Sequence, residues 1–228
     1  MAEVETHLAG NSWASRSFYQ LIRGILAVFC RAMFRLTVSG SEHIPTSGPF
    51  VLAPIHRSNI DTPIAAALTR RRMRFMGKDS LWKIRPIGSI LSALGGFPVT
   101  RGSADREAMK RCIEVLTHGE PLVLFPEGTR QSGPTVCPLF DGAAYIAVKA
   151  GVPIIPVGIG GSERVMPKGS KMIYPRKCVA IIGAPITAKT DENGRIPRSA
   201  VKDVTDQLSM SLQQLFDAAQ VSAGTPNS

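Results

Sequence analysis

The chain has 228 residues, enough for a single domain with a full hydrophobic core. Apolar residues make up 44% and charged residues 19%, a balance that excludes a disordered, collagen-like or coiled-coil chain. Lys and Arg number 27 against 17 Asp and Glu, and a formal charge of +10 favours an anionic partner: nucleic acid, a lipid surface or a phosphorylated substrate. The cysteines, Cys30, Cys112, Cys137 and Cys178, have no C-x-x-C spacing and no histidine cluster beside them. That pattern argues against a disulfide framework or a metal site and suits a reducing compartment.

The chain opens with acidic Glu3 and Glu5, with no small-residue cleavage site after a hydrophobic stretch, so no signal peptide is read. Residues 13 to 36 contain no Pro and one Gly and predict a helix. At 100° per residue, Arg16, Arg23, Arg31 and Arg35 share an arc about 120° wide. Phe18, Leu21, Ile22, Ile25, Val28, Phe29, Met33 and Leu36 lie opposite. This is the pattern of an interfacial helix on an anionic lipid surface, and equally of a surface helix packed on a core. The longest uninterrupted apolar run, Ile25 to Cys30, is far shorter than the ~20 residues of a membrane span. The expected arrangement is an amphipathic, membrane-surface segment over 1–38, a catalytic domain over 39–220 and a flexible tail over 221–228. The expected location is peripheral, on the cytoplasmic face, with no transmembrane span.

Ser39 to Pro49 is turn-rich. Beyond it, strand-length apolar runs bounded by Gly or Pro occur at Phe50–Ala53, Arg74–Gly77, Phe97–Val99, Leu122–Phe125, Ile154–Ile159 and Val179–Ile182. Helices fit between them at Pro63–Arg70, Ile87–Leu94, Ser103–His118 and Ala143–Ala150, with a last amphipathic helix over 200–219. The alternation predicts an α/β fold: a mostly parallel mixed sheet flanked by helices, preceded by the N-terminal amphipathic helix.

Two segments leave the carboxyl ends of predicted strands, where open α/β sheets place their ligands. The first is His56-Arg57-Ser58-Asn59-Ile60-Asp61, with Pro63 beyond it suited to a first helical turn. Residues five apart on a regular helix point about 140° from each other, so His56 and Asp61 meet only if a turn intervenes. If they meet, Asp61 holds one ring nitrogen and leaves the other as a neutral base; the alternative is a helix-capping turn with a satisfied histidine. The second is Phe125-Pro126-Glu127-Gly128-Thr129-Arg130, where Gly128 lets a ligand approach the backbone and Arg130 offers a planar fork for phosphate. A turn closed by an internal Glu127–Arg130 pair reads equally well. Between them lies a cationic block, Arg70, Arg71, Arg72, Arg74, Lys78, Lys83 and Arg85 against Asp79. Most of it reads as solvated surface, and the run Arg70–Arg72 suits contact with lipid head groups. Lys78 and Arg101 each close an apolar run and, with Arg130, can hold one phosphate.

Four blocks in order resemble the glycerolipid acyltransferases of the PlsC type: HRSNID (56–61), KDSLWKIRPIGSILSALGGFPVTR (78–101), FPEGTR (125–130) and VPIIPVGI (152–159). The resemblance covers roughly residues 35 to 190, and Gln131 stands where many members carry Ser. It implies transfer of a fatty acyl group from acyl-CoA or acyl carrier protein to a lysophospholipid hydroxyl, lysophosphatidate foremost, with glycerol 3-phosphate or another lysophospholipid as alternatives. It implies His56 and Asp61 as catalytic residues and Lys78, Arg101, Glu127, Gly128, Thr129 and Arg130 as substrate-binding ones. A thioester is already activated, so no covalent nucleophile, metal or cofactor beyond the donor is expected. Ser58 has no G-x-S-x-G elbow around it, and Cys137 shows no sign of activation. His43 and His118 lie in turns and read as surface residues. Three rivals stand: a thioesterase, a catalytically silent lipid- or carrier-binding module, and a basic nucleic-acid-binding protein. With 6% aromatics and no binding signature, nucleic acid is not the expected partner.

Overall fold

The computed structural model describes residues 10–99, 106–167, 169–170, 172–189, 195–197 and 199–227. Seven strands among them form one sheet: β1 (Thr37–Ser39), β2 (Val51–Pro54), β3 (Arg74–Lys78), β4 (Gly96–Val99), β5 (Leu122–Val123), β6 (Ile154–Gly160) and β7 (Val179–Ile182). Their spatial order is β1-β7-β6-β2-β5-β3-β4. All neighbours run parallel except β6 and β7, so the sheet is mixed and mostly parallel, as expected. Every residue of β2, β5 and β6 is buried, which requires cover on both faces and explains their unbroken apolar runs.

The cover comes from α1 (Trp13–Phe34), α2 (Asp61–Ala67), α3 (Arg85–Ala93), α4 (Arg106–Thr117), α5 (Gly142–Ala150), the short α6 (Ser162–Val165) and α7 (Ala200–Ala223). Helix α7 lies close along β6: a Cβ on Gly158 or Gly160 would stand 2.2–2.6 Å from the backbone of Leu215, Phe216, Ala219 or Gln220. Only glycine permits that approach. The stretch 221–228, expected to trail off, begins inside α7. Buried Ala219 and Ala223 extend the apolar face, Gly224 supplies the left-handed cap, and Asn227 donates to Asp217 Oδ1 at 2.6 Å.

Helix α1 orients unlike a simple amphipathic helix. Its inner face is Tyr19, Ala27, Cys30 and Phe34, on the arginine side. Arg23 donates to Thr69 O (2.7 Å) and Ala67 O (3.2 Å), the open carbonyls at the end of α2. The aliphatic face therefore points out, with Leu21 61%, Ile25 55% and Val28 68% exposed. By length and composition α1 is also long and apolar enough to cross a membrane, a criterion that the run Ile25–Cys30 alone did not meet.

Candidate active site

The register of β2 against β5 builds the site. Leu52 lies level with Val123, and four residues further along each strand come His56 and Glu127. The two loops leave the same sheet edge side by side, and the amide of His56 donates to Glu127 Oε2 at 2.9 Å. Gln131 N donates in turn to His56 O at 2.8 Å. HRSNID and FPEGTR are thus one unit, sewn together through the main chain of the histidine.

A turn does intervene between His56 and Asp61. Asp61 N donates to Ser58 O at 3.2 Å, and α2 starts at Asp61, two residues before the expected Pro63. Asp61 is fully buried. Its Oδ2 accepts from the amides of Arg57 and Ser58, both at 2.6 Å, and lies 3.2 Å from His56 Nδ1. The two amides lock the carboxylate in place, in the first turn of α2 where the helix dipole favours negative charge. With Nδ1 facing a carboxylate, the ring carries its proton there and leaves Nε2 as an acceptor. No described residue hydrogen-bonds Nε2. The imidazole is 16% exposed and stacks on Phe125 at 4.0 Å between centroids.

Glu127 is buried and faces inward. Its Oε1 accepts from Arg57 Nη1 at 2.7 Å and from Cys137 N at 3.2 Å. Arg57, equally buried, also donates to Thr135 O at 3.0 Å and sits over the Phe216 ring. The ion pair of this turn is therefore Glu127 with Arg57, and Arg130 stays half-buried with no partner among the described residues. Arg57 is the residue that sequence reasoning passed over. Its signal was an arginine one step from a histidine, directly after a strand too apolar to leave it in water.

Gly128 has φ +69°, and a Cβ there would stand 2.8 Å from the Phe140 ring, so glycine is required at this corner. Thr129 is exposed, and its hydroxyl accepts from Gln131 Nε2 at 3.1 Å. Lys78 ends β3, beside β5, at the same edge as His56. Arg101 lies outside the described residues. Ser58 is buried and donates its hydroxyl to Met166 O at 2.8 Å, which withdraws it from nucleophilic duty. Burial pushes the thiol of Cys30 up to about 11 and those of Cys112 and Cys178 up to about 12, so these three stay protonated at neutral pH. His43, expected at the surface, is partly buried with Nδ1 2.9 Å from Ile182 O, because Gly40 brings its turn against the end of β7. His118 is exposed.

Residues 35–160, which contain both loops, match the sequence profile of the family described as Acyltransferase. The chain belongs to the acyltransferase family. It is 30% identical over 179 residues to the chloroplastic 1-acyl-sn-glycerol-3-phosphate acyltransferase BAT2 of Brassica napus, covering 77% of this chain and 48% of that protein. It is 29% identical to the 1-acyl-sn-glycerol-3-phosphate acyltransferase of Bacillus subtilis, over 74% of this chain and 82% of that one. The crystal structure of PlsC from Thermotoga maritima, the 1-acyl-sn-glycerophosphate acyltransferase, superposes with a TM-score of 0.69 at 26% identity, covering 90% of this chain and 84% of that one. The likeness is thus to the PlsC-type glycerolipid branch of the family, in sequence and in fold. The chain spans about half the length of the plant relatives it matches.

Proposed function

We propose that the protein transfers a fatty acyl group from a thioester donor, acyl-CoA or acyl carrier protein, to the free hydroxyl of 1-acylglycerol 3-phosphate. The observation that carries this reading is the His56 Nδ1–Asp61 Oδ2 contact of 3.2 Å, which leaves Nε2 unclaimed by any described residue at the sheet edge. Nε2 takes the hydroxyl proton as the oxygen attacks the thioester carbonyl. Asp61 fixes the tautomer and stabilises the imidazolium that forms. The C–S bond then breaks, and the proton on Nε2 passes to the departing thiolate. Atoms balance without a covalent enzyme intermediate.

Arg130, unpaired among the described residues, is the first candidate for the acceptor phosphate, with Lys78 at the same edge and Arg101, on the resemblance alone, as further candidates. Glu127 and Gly128 act on the acceptor indirectly: the carboxylate holds the His56 main chain and Arg57, and the glycine shapes the turn that carries Thr129 and Arg130. The open apolar face of α1 supports peripheral attachment to an anionic membrane at the cytoplasmic face, where lysolipid acceptor and diacyl product reside. The deciding experiment is thiol release from acyl-CoA and, separately, from acyl-loaded acyl carrier protein, with lysophosphatidate vesicles present or omitted. Acceptor-dependent release that His56→Ala abolishes, at unchanged Tm, is the expected result. Release that ignores the acceptor identifies a thioesterase, and no release with either donor identifies a silent binding module.

A further inference from the structure

The opposite edge of the sheet carries a cleft that the catalytic reading does not use. It measures about 470 Å³ and is lined by the start of α1, the α2–β3 connection and the α4–β5 turn. Arg70–Arg72 precede β3 and His118–Pro121 precede β5, so the cleft opens at the amino ends of these strands. His56, Glu127 and Lys78 sit at the carboxyl ends. The span of β3 alone, about 13 Å at the usual rise per residue, separates the two edges.

Four arginines face this cleft, Arg16, Arg70, Arg71 and Arg72, against a single carboxylate, Glu120. That carboxylate is already engaged: Arg74 holds it through Nε and, at 3.0 Å, through Nη2. Two of the guanidiniums are pinned. Arg71 donates to Pro45 O at 3.0 Å and lies over the Phe50 ring at 5.2 Å. Arg72 donates to Asn11 Oδ1 at 3.0 Å and to Ala93 O at 3.2 Å, over the Tyr19 ring. Arg16 and Arg70 are exposed and pair with no described residue. Burial first, then the charge of Arg74, press the Arg72 guanidinium below its ordinary value; Glu120 and Tyr19 oppose that shift and Arg16 adds weakly to it. Like charges held this close repel unless an anion enters among them. Fixed planar forks beside free ones are a donor set for the tetrahedral oxygens of phosphate.

We propose that this cleft is a second anion site, which takes a phosphate group independently of the catalytic edge. The ligand is a phosphate monoester or diphosphate, carried by a phospholipid head group or by a soluble molecule small enough for the cleft. The site fills while the edge around His56 stays open.

The full chain is titrated with inorganic pyrophosphate, read by calorimetry and by thermal shift. Pyrophosphate is expected to raise Tm by linkage. The double variant Arg16→Gln/Arg70→Gln, which touches only exposed side chains, is expected to keep its ligand-free Tm and its acyl transfer while binding at least tenfold more weakly. Arg130→Gln, at the catalytic edge, is expected to keep the response. Flotation with phosphatidylcholine vesicles, plain or containing phosphatidate, separates the sources. A selective loss of phosphatidate-dependent flotation in the double variant assigns the site to a head group. An unchanged flotation with a lost pyrophosphate response assigns it to a soluble ligand. No pyrophosphate or phosphatidate response in the wild type, or a response that Arg130→Gln abolishes and the double variant keeps, overturns the proposal.

Discussion

The two loops around His56 and helix α1 divide polar and apolar groups in opposite ways. At the loops, Asp61, Arg57 and Glu127 are charged and buried, each held by several hydrogen bonds. On α1, Leu21, Ile25 and Val28 are apolar and exposed. Neither arrangement is what folding alone favours, since buried charge loses hydration and exposed hydrocarbon gains nothing. The loops exchange stability for fixed geometry around His56. Helix α1 satisfies its fold obligations with a narrow inner face, and leaves its aliphatic side to the surroundings.

The sharpest way to break this comparison is to remove one member of the buried pair. Glu127→Ala strands the Arg57 guanidinium in the interior, and breaking such a pair costs about 3–5 kcal/mol. The urea midpoint should fall accordingly, and activity with it. If stability is unchanged, the loops are not held by that pair. Next, Asp61→Asn keeps the shape and removes the charge that selects the His56 tautomer. Its kcat should fall by roughly 10²–10⁴-fold, the span ascribed to general-base assistance. A fall in acceptor affinity alone, with kcat intact, would contradict that role.

On the other side of the comparison, Leu21→Asp with Ile25→Asp alters only exposed side chains. Tm should hold within a few degrees while sedimentation with anionic vesicles drops. Loss of Tm instead would mean that this face is packed. The smallest effect concerns Glu163. Burial raises its carboxyl above the ordinary value, a shift that Arg57 opposes and that Asp61 and Glu127 reinforce. A raised carboxyl stabilises the fold below its unfolded value and loses that contribution as pH rises through the folded one. The Tm of Glu163→Gln relative to wild type should therefore climb between pH 4 and pH 7 in a fluorimetric pH series. A flat difference would mean that the carboxylate is solvated.

The sequence made the central strands readable because β2 and β6 are continuous apolar runs closed by Gly or Pro. His56 and Asp61 were readable as a pair because Ser58 and Asn59 supply the turn. Strand β1 was not legible, since its three residues alternate at an edge and borrow their order from β7. Strand β5 stops at Val123, two residues short of expectation, because Phe125 leaves the ladder to stack under His56. The facing of α1 was hidden for a different reason. Arg23 turns inward to meet carbonyls of α2 that only the tertiary structure brings near it. The partner of Glu127 was hidden likewise, because Arg57 lies 70 positions earlier in the chain.

That separation along the chain has a temporal consequence. During synthesis His56 and Asp61 emerge long before residues 125–130, and the carboxylate that anchors the histidine's amide arrives only with the latter. A nascent chain ending at β4 holds the His56 imidazole but not the carboxylate that braces its main chain. The histidine's main chain thus gains its brace only once β5 slots between β2 and β3, and an unfinished chain lacks the geometry that the completed sheet fixes.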